Sequence, residues 1–132
     1  MYDILKTINS PADVKNLNAE QLNALAVDIR EALFNRLTKF GGHFGPNFGI
    51  VETEIAMHYV FDSPKDKFVF DVSHQSYPHK MLTGRKAAIL KMNILLKIRV
   101  IQTQMRVNTI YLMSATHRLL YRWQQGWSKR VI

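Results

Sequence analysis

Three histidines lie in segments rich in glycine, proline and polar residues: His43, His74 and His79. Imidazole titrates near neutral pH, so a histidine can transfer a proton or hydrogen-bond to a phosphate or an amine. His43 stands among glycines, which allow close backbone approach to a ligand, and His74 follows an apolar run with the character of a strand. Because ligands of open α/β sheets bind beyond the carboxyl ends of the strands, His43 and His74 are candidate functional residues. The alternative, an ordinary solvated side chain at each position, stays open at this point.

Other kinds of chemical site find little support in the residue pattern. The spacing of Asp71, His74 and His79 matches none of the usual zinc-ligand patterns, and the chain has no cysteine. The glycine-rich segment 41–49 lacks the lysine and serine or threonine that end a P-loop, and no strand clearly precedes it, as a dinucleotide fingerprint requires. No serine stands in a nucleophile elbow. We therefore predict no metal ligands and no serine hydrolase.

The longest predicted element is an amphipathic helix that precedes the glycine-rich segment. Asn18 followed by Gln21 is a capping pattern that marks the start of a helix. Apolar residues then recur at helical spacing, and Gly41 and Gly42 supply the chemistry that ends a helix. The predicted buried face consists of Leu22, Leu25, Ala26, Ile29, Leu33 and Leu37.

A second helix, a strand and a polar segment follow the glycine-rich loop. We predict a helix over residues 50–60, a short buried strand over residues 68–72 and a polar loop over residues 73–80 at the carboxyl end of that strand. One face of the second helix carries Val51, Ile55 and His58. This order predicts the start of an α/β fold whose sheet is incomplete, because one strand cannot make a sheet.

Charge and composition divide the chain near residue 91. The formal charge is +8, but residues 1–90 carry ten basic and ten acidic residues, whereas residues 91–132 carry eight basic residues and no acid. We therefore predict two regions, residues 1–91 and a basic tail of residues 92–132. The balanced charge of the first region does not favour nucleic acid or an anionic membrane as a partner. With neither a leader peptide nor a run of eighteen apolar residues, we expect a soluble, cytoplasmic protein.

Three stretches in this order and spacing resemble the N-terminus of 1-deoxy-D-xylulose-5-phosphate synthases. They are INSPADVKNLNAEQLNALAVDIR, GGHFGPNFGIVETEIAMHYVFDSPKDKFVFDV and HQSYPHKMLTGR, and the resemblance covers about residues 4–90. It implies a transketolase-like thiamine-diphosphate-binding domain. The family condenses pyruvate with glyceraldehyde 3-phosphate, losing carbon dioxide, and uses thiamine diphosphate and Mg²⁺. Its enzymes are homodimers.

The resemblance also implies roles for two of the histidines. His43 matches the active-site histidine of the family, which contacts substrate and transfers protons, and His74 matches the histidine that contacts thiamine diphosphate. The family holds Mg²⁺ through a glycine-aspartate-glycine motif and activates the cofactor with a glutamate of a later domain, and neither motif occurs here. We therefore expect an N-terminal fragment without synthase activity of its own.

The basic tail lies outside the family pattern, and three interpretations compete for it. The first is a basic amphipathic helix that binds nucleic acid or a membrane, the second a genuine alternative ending of the protein, and the third the product of a shifted reading frame. When the possible codons of residues 94–118 are read in a shifted frame, the third base of one codon joins the first two bases of the next. Read in this way, they can encode a peptide that ends in VGHTS, which resembles the next cofactor-contacting motif of the family. We therefore predict a frameshift from about residue 92 and a helical, non-family tail. The alternative function is a small basic binding protein that acts through this tail.

Overall fold

The computed structural model describes residues 2–71 and 74–90, without the side chains of Asp71 and Ala88, and the backbone of residues 110–113. Helices dominate the described part. They are α1 (Pro11–Val14), α2 (Ala19–Phe40), α3 (Phe44–Gly49), α4 (Val51–Val60), α5 (Tyr77–Lys80) and α6 (Ala87–Leu90), with a kinked stretch at Met81–Arg85 between the last two. The strands are β1 (Phe68–Asp71) and β2 (Ile110–Met113).

Helix α2 forms as its local sequence predicts and carries one side of the core. The Asn18 side chain accepts a hydrogen bond from the Gln21 N–H at 2.8 Å, and the Gln21 side chain accepts one from the Asn18 N–H at 2.9 Å, which completes a capping box. The helix ends at Gly41, whose φ of 72° is unfavourable for other residues. All of the predicted face is buried except Leu22, which is half-buried.

The N-terminal segment, residues 2–10, is held against α2 and α6 by two charged side chains. The Asp28 carboxylate accepts hydrogen bonds from the backbone N–H groups of Ile4 and Leu5 at 2.8 and 2.9 Å. From the other side, the Lys86 ammonium donates to three backbone carbonyls, those of Leu5, Lys6 and Ile8. Both contacts join residues far apart in sequence, so this segment depends on tertiary structure.

Helix α4 confirms the second predicted helix, whereas the glycine-rich loop differs from its prediction. Residues 44–49 form the short helix α3, which accommodates Pro46 because the first turn of a helix needs no N–H donor. Arg30 fixes both helices against α2, since its guanidinium donates to the Phe48 carbonyl at 3.1 Å and pairs with the Glu52 carboxylate at 2.9 Å.

Strand β1 confirms the predicted strand at Phe68–Asp71, and Val72 lies outside the described residues. It pairs in parallel with β2, with Phe68 opposite Ile110. The prediction of a helical tail is therefore wrong for residues 110–113, because this apolar run with an isoleucine and a tyrosine can extend beside β1. The described chain thus holds a two-stranded parallel sheet beside a helical layer, as an incomplete α/β domain would.

The polar segment after β1 also differs from the predicted loop. Tyr77–Lys80 form a helical turn, and each of its side chains is buried, including His79 at 0% exposure. Pro78 lies within the first turn, where it is tolerated. Tyr77 belongs to the main core cluster, and the His79 ring contacts Phe68 and Phe70. No helix in the described ranges has the length and apolar character needed to cross a membrane.

Candidate functional site

The fold brings the two predicted site histidines together. The imidazole rings of His43 and His74 lie 5.3 Å apart, centre to centre, with 66° between their planes. His43 is exposed and His74 half-buried, so solvent or a ligand can reach the pair. Within the described part of the chain, neither ring nitrogen of either residue is engaged in a hydrogen bond. The pair can therefore donate hydrogen bonds to a molecule that docks beside it, or accept hydrogen bonds from that molecule.

Asn47 holds the two histidine-bearing segments in place. Its side chain is fully buried, and its amide nitrogen donates to the backbone carbonyls of His43 and His74, each at 2.7 Å. Its amide oxygen accepts a hydrogen bond from the Tyr77 N–H at 3.0 Å. One side chain thus links the start of α3 to the start of α5, so the separation of the two imidazoles depends on Asn47.

Gly42 is the glycine that this site requires. Its φ is 137°, and a Cβ at this position would lie 2.6 Å from the Leu37 Cδ2 atom. A side chain there would push the buried Leu37 side chain aside and would hold a backbone conformation that residues other than glycine rarely adopt. The close approach that Gly42 permits here is to the protein's own core.

The histidine pair suits part of a diphosphate site but offers no metal site. Neutral imidazole can donate one hydrogen bond to a phosphate oxygen, and both rings are accessible. Mg²⁺ prefers oxygen ligands, and among the described residues the one group of three or more potential metal ligands lies elsewhere. His43 and His74 fit thiamine diphosphate as hydrogen-bond donors, and the described residues beside them offer no ligand set for Mg²⁺.

A second group of polar side chains lies in the core between α4, α5 and β1. We call Glu54, His58 and His79 the buried triad, and all three are 0% exposed. His58 Nε2 lies 3.0 Å from His79 Nδ1, and the nearer Glu54 oxygen, Oε2, lies 3.8 Å from the first nitrogen and 3.7 Å from the second. Phe68 and Phe70 pack against the rings, with centroids 4.8 to 5.6 Å apart.

Burial keeps the charged forms of the triad unfavourable. Desolvation raises the pKa of Glu54 to about 8 and lowers the pKa of His58 to about 4. Desolvation also lowers the pKa of His79 to about 2, with smaller electrostatic contributions from His58, Arg85 and Lys80. Both histidines are therefore neutral at pH 7, and each can offer a lone pair.

The helical spacing places His58 on one face with Val51 and Ile55 but does not connect it with Glu54 and His79. One signal was available, since Glu54 and His58 are four residues apart on a helix and must lie on the same side of it. The third member gave no such signal, because His79 follows a proline in a polar segment and is buried only through tertiary packing. Asn47 was missed for the same reason.

Comparison with known proteins finds close sequence relatives. A sequence profile of 1-deoxy-D-xylulose-5-phosphate synthase matches residues 5–99. The synthase of Acidobacterium capsulatum is 59% identical over 85 residues, which cover 64% of this chain and 14% of the relative. Those of Methylacidiphilum infernorum and of Dehalococcoides mccartyi are 56% and 57% identical over 86 residues, which cover 65% of this chain and 14% of each relative.

The chain spans about one seventh of the length of these curated relatives. The matched residues include α2, the His43 and His74 segments, Asn47 and the buried triad, so the described site lies wholly within the similar region. The chain belongs to the 1-deoxy-D-xylulose-5-phosphate synthase family.

Proposed function

We propose that this chain supplies the His43–His74 part of the active site of a 1-deoxy-D-xylulose-5-phosphate synthase. The reaction joins pyruvate to glyceraldehyde 3-phosphate with loss of carbon dioxide. The observation that carries the proposal is the pairing of the two imidazoles, 5.3 Å apart and accessible, through the buried Asn47 amide. Membership of the family supports the same reaction class.

The two histidines have separate roles in this proposal. His74, in the turn between β1 and α5, donates a hydrogen bond to thiamine diphosphate, and His43 contacts the substrate and moves a proton. His43 suits proton transfer because its ring is exposed and has no partner in the described part that would hold its proton. Thiamine diphosphate, when bound, supplies the stabilised carbanion chemistry.

The remaining parts of the reaction lie beyond the described residues. We propose that residues outside these ranges would hold the Mg²⁺, since the described residues beside His43 and His74 offer no ligand set for it. A homodimer of the whole synthase is proposed on the family resemblance. We expect no synthase activity from these 132 residues alone, because catalysis requires the cofactor's reactive carbon to be held against the substrate.

Histidine-resolved NMR tests the proposed binding without requiring turnover. Thiamine diphosphate is added to the full chain labelled at its histidine rings, and His43→Gln and His74→Gln assign two of the signals. We expect the His43 and His74 signals to shift in a saturable manner, while those of the buried His58 and His79 stay unchanged. Absence of any selective shift at millimolar cofactor would contradict the proposal. Thiamine, which lacks the diphosphate, is the matched ligand control.

The division of the chain near residue 92 remains a proposal with its own test. We propose that residues 92–132 arise from a shifted reading frame, which accounts for a tail without acidic residues. The family profile continues to residue 99, so similarity extends some residues past the compositional boundary. DNA sequence through codons 88–132 and beyond distinguishes the cases. A shifted frame that continues as family sequence supports the proposal, and codons that cannot encode it exclude it.

The charge of the tail favours one alternative function. All of the net positive charge lies in residues 91–132, so the chain could act as a small basic binding protein. Fluorescence anisotropy with a DNA duplex and co-sedimentation with anionic vesicles distinguish the two functions. Under the synthase proposal, no saturable binding persists at physiological salt. Tight binding that falls steeply with salt concentration would instead favour the alternative.

A further inference from the structure

We infer that Glu54, His58 and His79 form a zinc-binding site in the core, separate from the proposed thiamine-diphosphate site. The ion would bind Glu54 through Oε2, His58 through Nε2 and His79 through Nδ1. Its three protein ligands are fully buried, and the ion would join helix α4 to helix α5. The sequence predicts no metal ligands because the spacing considered there, that of Asp71, His74 and His79, matches no zinc pattern, and Glu54 and His58 were not considered.

The positions of the three ligand atoms match the size of a zinc ion. The two nitrogens are 3.0 Å apart, and the Glu54 oxygen lies 3.8 and 3.7 Å from them. The point equidistant from three atoms so arranged lies about 2 Å from each, which is the usual length of a zinc–nitrogen or zinc–oxygen bond. Because that point lies in the plane of the three atoms, a tetrahedral ion would also draw the Glu54 oxygen closer to the two nitrogens.

The Glu54 carboxyl group supplies an independent indication of a ligand. Its side chain is 0% exposed, and neither of its oxygens has a hydrogen-bond partner. Buried carboxyl groups normally find partners, because an unpaired polar atom in the core is costly. Its Oε2 atom faces the two imidazole nitrogens at a distance too long for a hydrogen bond yet suited to a shared cation.

The ligand types select among metals. Two histidines and one glutamate are a zinc-binding combination that leaves a fourth position for water. Mg²⁺ and Ca²⁺ prefer oxygen ligands and a higher coordination number, so this set does not suit them. Phe68 and Phe70 contact the His79 ring, and Phe68 also contacts the His58 ring, which restricts the orientation of both imidazoles. Without a metal, the same atoms would form a neutral cluster with one His58–His79 hydrogen bond.

Metal titration of the full chain tests the inference. Co²⁺ serves as a visible probe for the zinc site, Zn²⁺ competes for it, and bound metal is counted by elemental analysis. We expect one metal per chain and Co²⁺ absorption bands of a four-coordinate site. Glu54→Gln, which keeps the shape of the side chain, should weaken Zn²⁺ binding by at least about tenfold, since loss of even an outer partner of a zinc ligand costs that much.

The pair of His43 and His74, which lies outside the buried triad, provides the matched control. His43→Gln/His74→Gln removes two imidazoles outside the triad and should leave Zn²⁺ affinity unchanged. Equal weakening by this double variant would place the metal elsewhere and overturn the inference, as would a wild-type chain that binds no stoichiometric Co²⁺ or Zn²⁺. If Glu54→Gln fails to fold by circular dichroism, X-ray absorption of the zinc-loaded wild type decides. Two imidazole ligands and one carboxylate support the site, and any other ligand set excludes it.

Discussion

Replacing Asn47 with alanine should destabilise the fold by about 3 kcal/mol. The substitution removes hydrogen bonds to the His43 carbonyl, the His74 carbonyl and the Tyr77 N–H. Each such bond contributes about 1 kcal/mol net, and a buried N–H left without a partner costs about 1 to 3 kcal/mol. The Tyr77 N–H lies in a buried turn, whereas water can reach the more exposed His43 and His74 segments. The sum is therefore about 2 to 4 kcal/mol.

The loss should be accompanied by a change at the histidine pair. With the Asn47 amide gone, the His43 and His74 segments are no longer held by one side chain, so their mutual position becomes variable. Urea unfolding followed by circular dichroism measures the free energy of unfolding, and the histidine NMR signals report the pair. We expect both histidine signals to broaden or shift in Asn47→Ala, and the response to thiamine diphosphate to weaken.

Asn35 provides a control of the same residue type. Its amide donates one hydrogen bond, to the Tyr2 hydroxyl at 2.8 Å, away from the histidine pair. Asn35→Ala should cost about 1 kcal/mol and leave the His43 and His74 signals unchanged. If Asn47→Ala costs no more than Asn35→Ala, or leaves the histidine signals as in wild type, Asn47 does not position the pair and our reasoning is refuted.

Three further predictions concern the framework around the site. Asp28→Ala should lower the free energy of unfolding by about 2 to 3 kcal/mol in urea, because it leaves a buried Leu5 N–H without its charged acceptor. Gly42→Ala should lower the melting temperature more than Gly41→Ala, since only the first adds a Cβ 2.6 Å from a core side chain; equal losses would contradict this. The N–H groups of Asn9 and Ser10 lower the pKa of Asp13 below 3.8. The Asp13 carboxylate therefore stabilises the fold above pH 3.8, and this stabilisation is lost as the pH falls through the folded-state pKa. Asp13→Asn should remove this pH dependence of the free energy of unfolding, measured by unfolding curves between pH 7 and 3.

Helix α2 and strand β1 were predictable because their signals are local. Asn18 and Gln21 form a capping box within one turn, and apolar spacing alone identifies the buried face of α2. The helix at residues 44–49 was missed because glycine and proline were interpreted as loop residues. Pro46 is tolerated there since the first turn of a helix needs no N–H donor at that position.

The site was only partly predictable, for physical reasons. His43 and His74 were identified, but their contact depends on Asn47, which bonds to partners distant in sequence. The buried triad depends on the packing of α5 against α4, and no periodicity in a four-residue turn indicates burial. His79 was interpreted as a loop residue for this reason, and its full burial became evident only in three dimensions.

The contact of Lys86 with the carbonyls of the N-terminal segment affects the order of folding. Its ammonium donates hydrogen bonds to residues about eighty positions earlier in the chain. These hydrogen bonds can form only after nearly all of residues 2–90 have been synthesised. Contacts of such long sequence separation form late, because the entropy of closing the loop must first be overcome. Residues 2–10 would therefore stay accessible to proteases and chaperones during synthesis and become protected only after Lys86 has docked.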